Sequence, residues 1–370
     1  MTTKRQLLLT PGPTNVPDAV LEAMKIPMIH HRTKDYQAIF ERVNQSLKKV
    51  FLTQHPVVTF AASGTGAMEA SMTNLLSAGD KVIVAHAGKF GERWRDLAKA
   101  YGVEAVCLEK PYGKALDPAE IARALKQHPD AKAVYVTLLE TSTAVVHPIR
   151  EIAAITRESQ AILVVDAISG LACDPLKMDE WGVDVVVCGS QKGLMMPPGL
   201  AFIAAGPRAQ QLIGESKLPK FYFHLGAALK ALAKNDTPYT PAVSLVRALE
   251  VALDLILKEG PEAVWARHQK IAEWVREKAR GAGLQIFSES PSNGLTAILM
   301  PEKVVSDQVI RTMRDKHGVI MANGQGDLKG RIVRFAHMGD TARPESAETG
   351  WCALTDALEV CSQATPAGGK

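Results

Sequence analysis

The chain has little of what would place it outside a reducing compartment or against a charged partner. Only five cysteines occur in 370 residues, Cys107, Cys173, Cys188, Cys352 and Cys361. Their number is odd, no CxxC pair is present, and three lie in apolar runs where a thiol packs as a small hydrophobe. That excludes a disulfide framework and leads us to expect a cytoplasmic protein. Long hydrophobic runs are missing too. Met1-Thr2-Thr3-Lys4-Arg5-Gln6 leads into three leucines before Thr10-Pro11-Gly12, too few for a signal peptide or a membrane span, so a soluble chain with no membrane partner is expected. Nor is there an excess of one charge: Lys plus Arg number 43 against 39 Asp plus Glu. The basic residues alternate with acids, as where Glu273 and Glu277 interrupt the 270–280 stretch, so they read as solvated helix faces and not as a nucleic-acid surface. No internal repeat is visible.

What remains is ordinary globular composition, 46% hydrophobic and 22% charged. The length exceeds one minimal core, which predicts a large domain with a smaller companion and a cleft suited to small molecules. Between Pro56 and Ala205, short apolar runs at 57–60, 81–85, 104–108, 133–137, 162–166, 183–188 and 200–204 alternate with helical patterns. Runs this continuous suit strands buried on both faces, hence an α/β fold with a mostly parallel sheet flanked by helices. A helix over 117–127 is marked by Asp117 as cap, Pro118 in the first turn and Ile121 and Leu125 on one face. The 206–236 segment is hard to read, though 227–232 favours helix on propensity.

Two long helices, 244–258 and 261–282, are separated by Glu259-Gly260-Pro261, and that break sets the expected division into a large domain, 1–260, with an N-terminal arm, and a small domain, 261–370. The second part reads as α+β: strands at 284–287, 295–300 and 331–336, helices at 306–317 and 344–361, and a frayed tail from Thr365 to Lys370.

Several residues at the ends of the apolar runs carry chemistry. Lys192, in Gly189-Ser190-Gln191-Lys192-Gly193, follows one run, and Asp166 closes the run before it. An amine for a Schiff base and a carboxylate for a ring nitrogen are what covalent pyridoxal phosphate chemistry requires. Burial among Met195, Met196 and Pro197-Pro198 would lower the amine's pKa, while a loop lysine reaching outward is the alternative. A cap of a turn through Ile168 and Ser169 is the alternative for Asp166. Ser63-Gly64-Thr65-Gly66 opens a helix after a strand, which makes either a phosphate cradle or a tight hydroxyl-capped turn. Phe90 can stack on a flat ring or pack in the core. Arg334, among apolar neighbours, suits a substrate carboxylate or a structural ion pair. No metal site is expected.

In their order along the chain, these segments resemble the class V aminotransferases of fold type I, near the alanine–glyoxylate and serine–glyoxylate group. The likeness runs from Leu8-Leu9-Thr10-Pro11-Gly12-Pro13-Thr14 through His31-Arg32, Ser63-Gly64-Thr65-Gly66, Glu140-Thr141-Ser142-Thr143, Val165-Asp166, Gly189-Ser190-Gln191-Lys192-Gly193, Thr237-Pro238-Tyr239-Thr240-Pro241 and Gly324-Gln325-Gly326 to Arg334-Phe335-Ala336-His337-Met338-Gly339. It implies a large pyridoxal-phosphate domain and a small C-terminal one. It also implies Lys192 as the Schiff-base lysine and catalytic base, Asp166 as partner of the pyridine nitrogen and Phe90 as the stacking ring. Thr65, Gly66, Ala67 and Gln191 would hold the phosphate, and Thr141 the ring hydroxyl. Tyr239 and Thr240 would reach the phosphate of the neighbouring subunit in a homodimer with shared sites, and Arg334 with the Gly12 backbone would bind the substrate carboxylate. Two departures stand out: Phe90 where Trp is frequent, and Ala144 where Gly is usual.

The implied reaction is a ping-pong transfer of an amino group from a small amino acid of alanine or serine type to glyoxylate or pyruvate. Two alternatives stand beside it. A cysteine desulfurase or lyase of the same fold usually has His before the lysine and a cysteine on a mobile loop; here the residue is Gln191 and 323–330 contains no cysteine. A non-catalytic binding protein keeping the fold is the other. The amino donor is not legible.

Overall fold

The computed structural model describes residues 6–363; the tail expected at 365–370 lies outside the described residues. Its strands, in chain order, are β1 (Leu7–Leu9), β2 (Val57–Ala62), β3 (Lys81–His86), β4 (Glu104–Glu109), β5 (Ala133–Thr137), β6 (Leu139–Glu140), β7 (Val145–Val146), β8 (Ile162–Asp166), β9 (Val185–Gly189), β10 (Gly199–Ala205), β11 (Leu295–Leu299), β12 (Val319–Asn323) and β13 (Ile332–Ala336). Seven form one sheet in the order β2-β10-β9-β8-β5-β3-β4, within which only β10 runs against its two neighbours. All seven expected runs of the large domain are strands, with ends shifted by at most two residues.

Successive residues of each strand face opposite layers, and both layers are apolar. Ile83, Val134, Val136, Leu163, Val165 and Phe202 pack with the helices Lys34–Phe51, Pro118–Gln127, Ile149–Arg157 and Val243–Glu259. Val82, Val84, Tyr135, Val164, Val187 and Ile203 pack on the other side with Gly64–Leu75, Lys89–Ala100 and Pro207–Glu215. Two-sided burial is why these strands read as unbroken hydrophobic runs and not as alternating ones. The expected cap is present: Ala119 N–H donates to Asp117 Oδ1 at 2.9 Å, with Pro118 in the first turn. The helix favoured at 227–232 spans Leu225–Leu232.

The second sheet, β1-β12-β13-β11, packs against the helices Pro261–Gly281 and Pro344–Gln363 through Leu9, Val275, Ile298, Phe335 and Leu354. β1 pairs in parallel with β12, Leu8 opposite Ile320. The leucines of the N-terminal arm therefore complete the small sheet from the far end of the chain.

Three expectations for this part differ from the structure. The 284–287 strand is reduced to one bridge, Ile286 to Ile298, because the chain there covers the edge of β11 without a longer ladder. The 306–317 helix is α-helical only over Ser306–Thr312 and continues as a π-helical turn, Met313–His317, which keeps Met313 in the core. β12 departs from expectation because Ala322 is a weak strand former and Asn323 is polar, which blurs the strand pattern. The two sheets are tied beside the cleft by buried Asp174, which accepts from Ser292 Oγ at 2.7 Å and Asn293 N–H at 2.8 Å.

Candidate active site

Most groups of the cleft follow the C-terminal ends of large-sheet strands, where open α/β sheets leave a crevice, while Arg334 comes from β13 of the small sheet and Gly12 from the segment after β1. β8 ends on Asp166, β9 leads into the Ser190–Pro198 connection, β5 leads into Glu140 and Thr141, and β3 leads into Phe90. The connection carrying Lys192 is rigidly held. Ser190 Oγ donates to Pro197 O at 2.6 Å and accepts from Leu200 N–H at 3.2 Å, and Met195 N–H donates to Lys192 O at 2.9 Å. Gly193 is required for its close approach: a β-carbon there would lie 2.3 Å from Leu171 O.

Lys192 is only 6% exposed, and its Nζ donates to Ser169 Oγ at 2.9 Å. Ser169 Oγ is in turn hydrogen-bonded to Thr141 Oγ1. Burial lowers the Lys192 pKa to about 8, with Arg334 acting in the same direction and Asp166 opposing. Asp166, 3% exposed, accepts from Ile168 N–H at 2.8 Å through Oδ1, and burial raises its pKa to about 7. The turn-capping contact considered for this residue is thus present. It occupies one oxygen and leaves Oδ2 without a hydrogen-bond partner among the described residues.

Phe90 faces the same amine, with Lys192 Nζ 5.6 Å from its ring centroid. Its backbone is fixed by Glu140, a fully buried carboxylate. Phe90 N–H and Gly91 N–H donate to Glu140 Oε2 at 3.1 and 2.9 Å, while Ser142 N–H and Oγ donate to Oε1 at 3.0 and 2.6 Å. Four donors, two of them at the start of Lys89–Ala100, hold this charge where the helix dipole favours it.

Arg334 donates through Nε to Asn323 O at 2.7 Å and through Nη1 to Thr141 O at 3.0 Å, and its Nη2 makes no hydrogen bond among the described residues. Burial lowers its pKa to about 10, which leaves it charged at neutral pH. No ion pair to Arg334 occurs among the described residues, so the structural ion pair weighed for it is not formed. Gly12, at φ +105°, brings its backbone so close that a β-carbon would lie 2.9 Å from Lys192 Cε. Ala144 stands at φ +62°; that left-handed conformation is the physical reason glycine suits the position, and alanine there costs about 1 kcal/mol.

Thr65, Gly66 and Ala67 lie in the first turn of Gly64–Leu75, where Gly66 N–H donates to Ser63 O at 2.8 Å and Thr65 N–H has no acceptor among the described residues. Gln191 Oε1 is buried without a partner. Tyr239 and Thr240 are partly exposed and are not joined to Lys192 by any contact within the protomer: Tyr239 stacks on Tyr222, ring centroids 5.4 Å apart, and its hydroxyl donates to Phe221 O at 3.3 Å.

An amine of lowered pKa, an uncommitted acid oxygen, an aromatic face and a helix start fit a phosphorylated pyridine aldehyde. Ser169, Glu140 and Arg93 were given no role from sequence. Ser169, three residues beyond Asp166, had that spacing as its only signal.

The family model described as Aminotransferase class-V matches residues 6–331. Among curated proteins, the chain is 39% identical to the soluble hydrogenase small subunit of Synechococcus sp. over 90% of this chain and 88% of that one. It is 34% identical to the L-aspartate–glyoxylate aminotransferase of Paracoccus denitrificans over 98% of this chain and 90% of that one. Among solved structures, the alanine–glyoxylate aminotransferase of Nostoc sp. superposes with a TM-score of 0.93 at 30% identity, covering 97% of this chain and 96% of that one.

Proposed function

The chain belongs to the class-V aminotransferases, a fold type I transaminase family that implies pyridoxal phosphate as cofactor, and from that premise we propose that it transfers the amino group of a small amino acid, of alanine or serine type, to glyoxylate or pyruvate. The observation that carries this reading is a short chain of contacts: Lys192 Nζ to Ser169, Ser169 to Thr141, and the Thr141 carbonyl to Arg334. It sets a reactive amine and a guanidinium suited to a carboxylate around one residue, Thr141.

When bound, the cofactor supplies an aldehyde carbon and a ring that accepts the electron pair released at the substrate α-carbon. Lys192 would hold it through Nζ and, once displaced by the substrate amine, carry the α-proton on the same nitrogen. Asp166 would keep a proton on the ring nitrogen through Oδ2. Phe90 would cover one ring face, and Thr141 would hydrogen-bond the ring oxygen. Thr65, Gly66, Ala67 and Gln191 would bind the phosphate, and Arg334 with the Gly12 backbone would orient the substrate carboxylate. Tyr239 and Thr240 would complete the cradle of a second subunit. Exposed apolar groups around them support a homodimer: Phe221 is 79% exposed, and a groove of about 640 Å³ beside Thr240 is lined by Met28, Ile29 and His31. We divide the chain after Gly260 into a large and a small domain. We place it in the cytoplasm because its cysteines are few, odd in number and without CxxC spacing.

Hydrogenase activity, named for the cyanobacterial relative, is not proposed here, because what this cleft assembles is the amine, acid and arginine of amino transfer. A panel of alanine, serine and aspartate donors against glyoxylate and pyruvate, read by cofactor absorbance in single half-reactions, tests the proposal. A donor that bleaches the absorbance band, with either acceptor restoring it, supports the proposal. Sulfide release from L-cysteine without amino transfer would replace it with desulfurase chemistry.

A further inference from the structure

The groups assigned above to the phosphate are all neutral: Thr65, Gly66, Ala67, Gln191 and, across a dimer, Tyr239 and Thr240. A phosphate monoester carries about −1.5 to −2 at pH 7, so such a cradle leaves most of its charge uncompensated. One helical turn beyond Phe90, on the same face of Lys89–Ala100, stands Arg93. Its Nη1 donates to Thr65 Oγ1 at 2.8 Å, and its guanidinium carbon lies 5.1 Å from the Phe90 ring centroid. Arg93 is half-buried, and among the described residues no carboxylate pairs with it. Arg95, two residues on, is paired with Asp96 at 3.1 Å and Glu92 at 3.9 Å. A guanidinium drawn into a cleft, stacked on a ring and hydrogen-bonded only to a neutral hydroxyl is poised for an anion.

We propose that Arg93 is the cationic anchor of the cofactor phosphate, reaching it beside Thr65. This rests on the pyridoxal phosphate reading above. It also accounts for a stacking position with the smaller Phe ring: retention is shifted from ring area to charge.

The test compares apoprotein binding of pyridoxal phosphate with that of pyridoxal, which lacks the phosphate, by quenching of protein fluorescence in wild type, Arg93→Gln and Arg93→Lys. The expected result is a Kd for pyridoxal phosphate raised roughly 10- to 100-fold in Arg93→Gln, with the Kd for pyridoxal within about twofold of wild type and partial recovery in Arg93→Lys. Inorganic phosphate should compete with pyridoxal phosphate in wild type and lose that ability in Arg93→Gln. Equal weakening of both compounds would reduce Arg93 to a support for Phe90 and overturn the proposal, as would an unchanged Kd for pyridoxal phosphate. Wild-type apoprotein that binds neither compound overturns the cofactor reading and this assignment with it. Intact pyridoxal binding in the variants separates loss of the anchor from loss of the fold.

Discussion

At pH 7 an ordinary lysine of pKa 10.5 is a free amine in about 3 molecules in 10,000, whereas a lysine held at about 8, as burial holds Lys192, is free in about one in ten. The free amine is the nucleophile, so the lowered pKa gives roughly 300-fold more reactive sites at neutral pH. The sign is set by burial: water is withdrawn from the ammonium, and the Asp166 charge that would restore it is itself diminished, since that acid titrates at about 7. Capture of pyridoxal phosphate by the apoprotein should therefore rise about tenfold per pH unit below the midpoint and level off above about pH 8. Borohydride trapping followed by peptide mapping would measure capture at Lys192. The same reaction on a blocked lysine, run in parallel, removes the cofactor's own titration. A midpoint near 10.5 would show Lys192 to be solvated in the working apoprotein, and a flat profile from pH 6 to 9 would show that proton loss does not limit capture. Either result refutes the argument from burial.

Asp166→Asn should separate stability from activity. The folded-state pKa of Asp166 lies above its unfolded value of 3.8, so its contribution to stability falls as pH rises from about 4 to 7, to a cost on the order of 4 kcal/mol above that range. Apoprotein Asp166→Asn should then melt higher than wild type at pH 8 and equally at pH 4, while transamination drops sharply; equal melting at pH 8 would contradict this. Glu140→Gln replaces one of the two acceptor oxygens with an NH2 that faces one pair of the four donors, and urea unfolding should show a loss of about 3 kcal/mol or more; a change under 0.5 kcal/mol would mean that Phe90 is positioned by other groups. Arg334→Ala should raise KM for every carboxylate substrate about 10- to 100-fold, and loss confined to one donor would make Arg334 a selector of side chains.

The strands and the reactive residues at their ends were legible because burial on both faces leaves a one-dimensional mark: apolar runs closed by Asp166 or followed by Lys192 cannot be solvated loops without cost. β1 was not, because it has three residues and its strand partner lies more than 300 residues away in the chain, and β12 was not, because Asn323 interrupts its apolar pattern. Glu140 was visible only as a letter in a motif. Its role depends on amide groups of Phe90 and Gly91, fifty residues upstream, turning toward it.

By itself, the order of residues determined the reaction class and pointed to the groups proposed to perform it, since side-chain type dictates which atom can be a nucleophile, an electron partner or a carboxylate clamp. Tertiary structure decided how those groups are tuned and supported. Burial brings the pKa values of Lys192 and Asp166 toward neutrality, Thr141 links the amine to Arg334, and Arg93 is drawn to Thr65 without a counter-ion. Proximity and desolvation arise only when distant segments share one dry cleft, and neither is written in any single stretch of the chain.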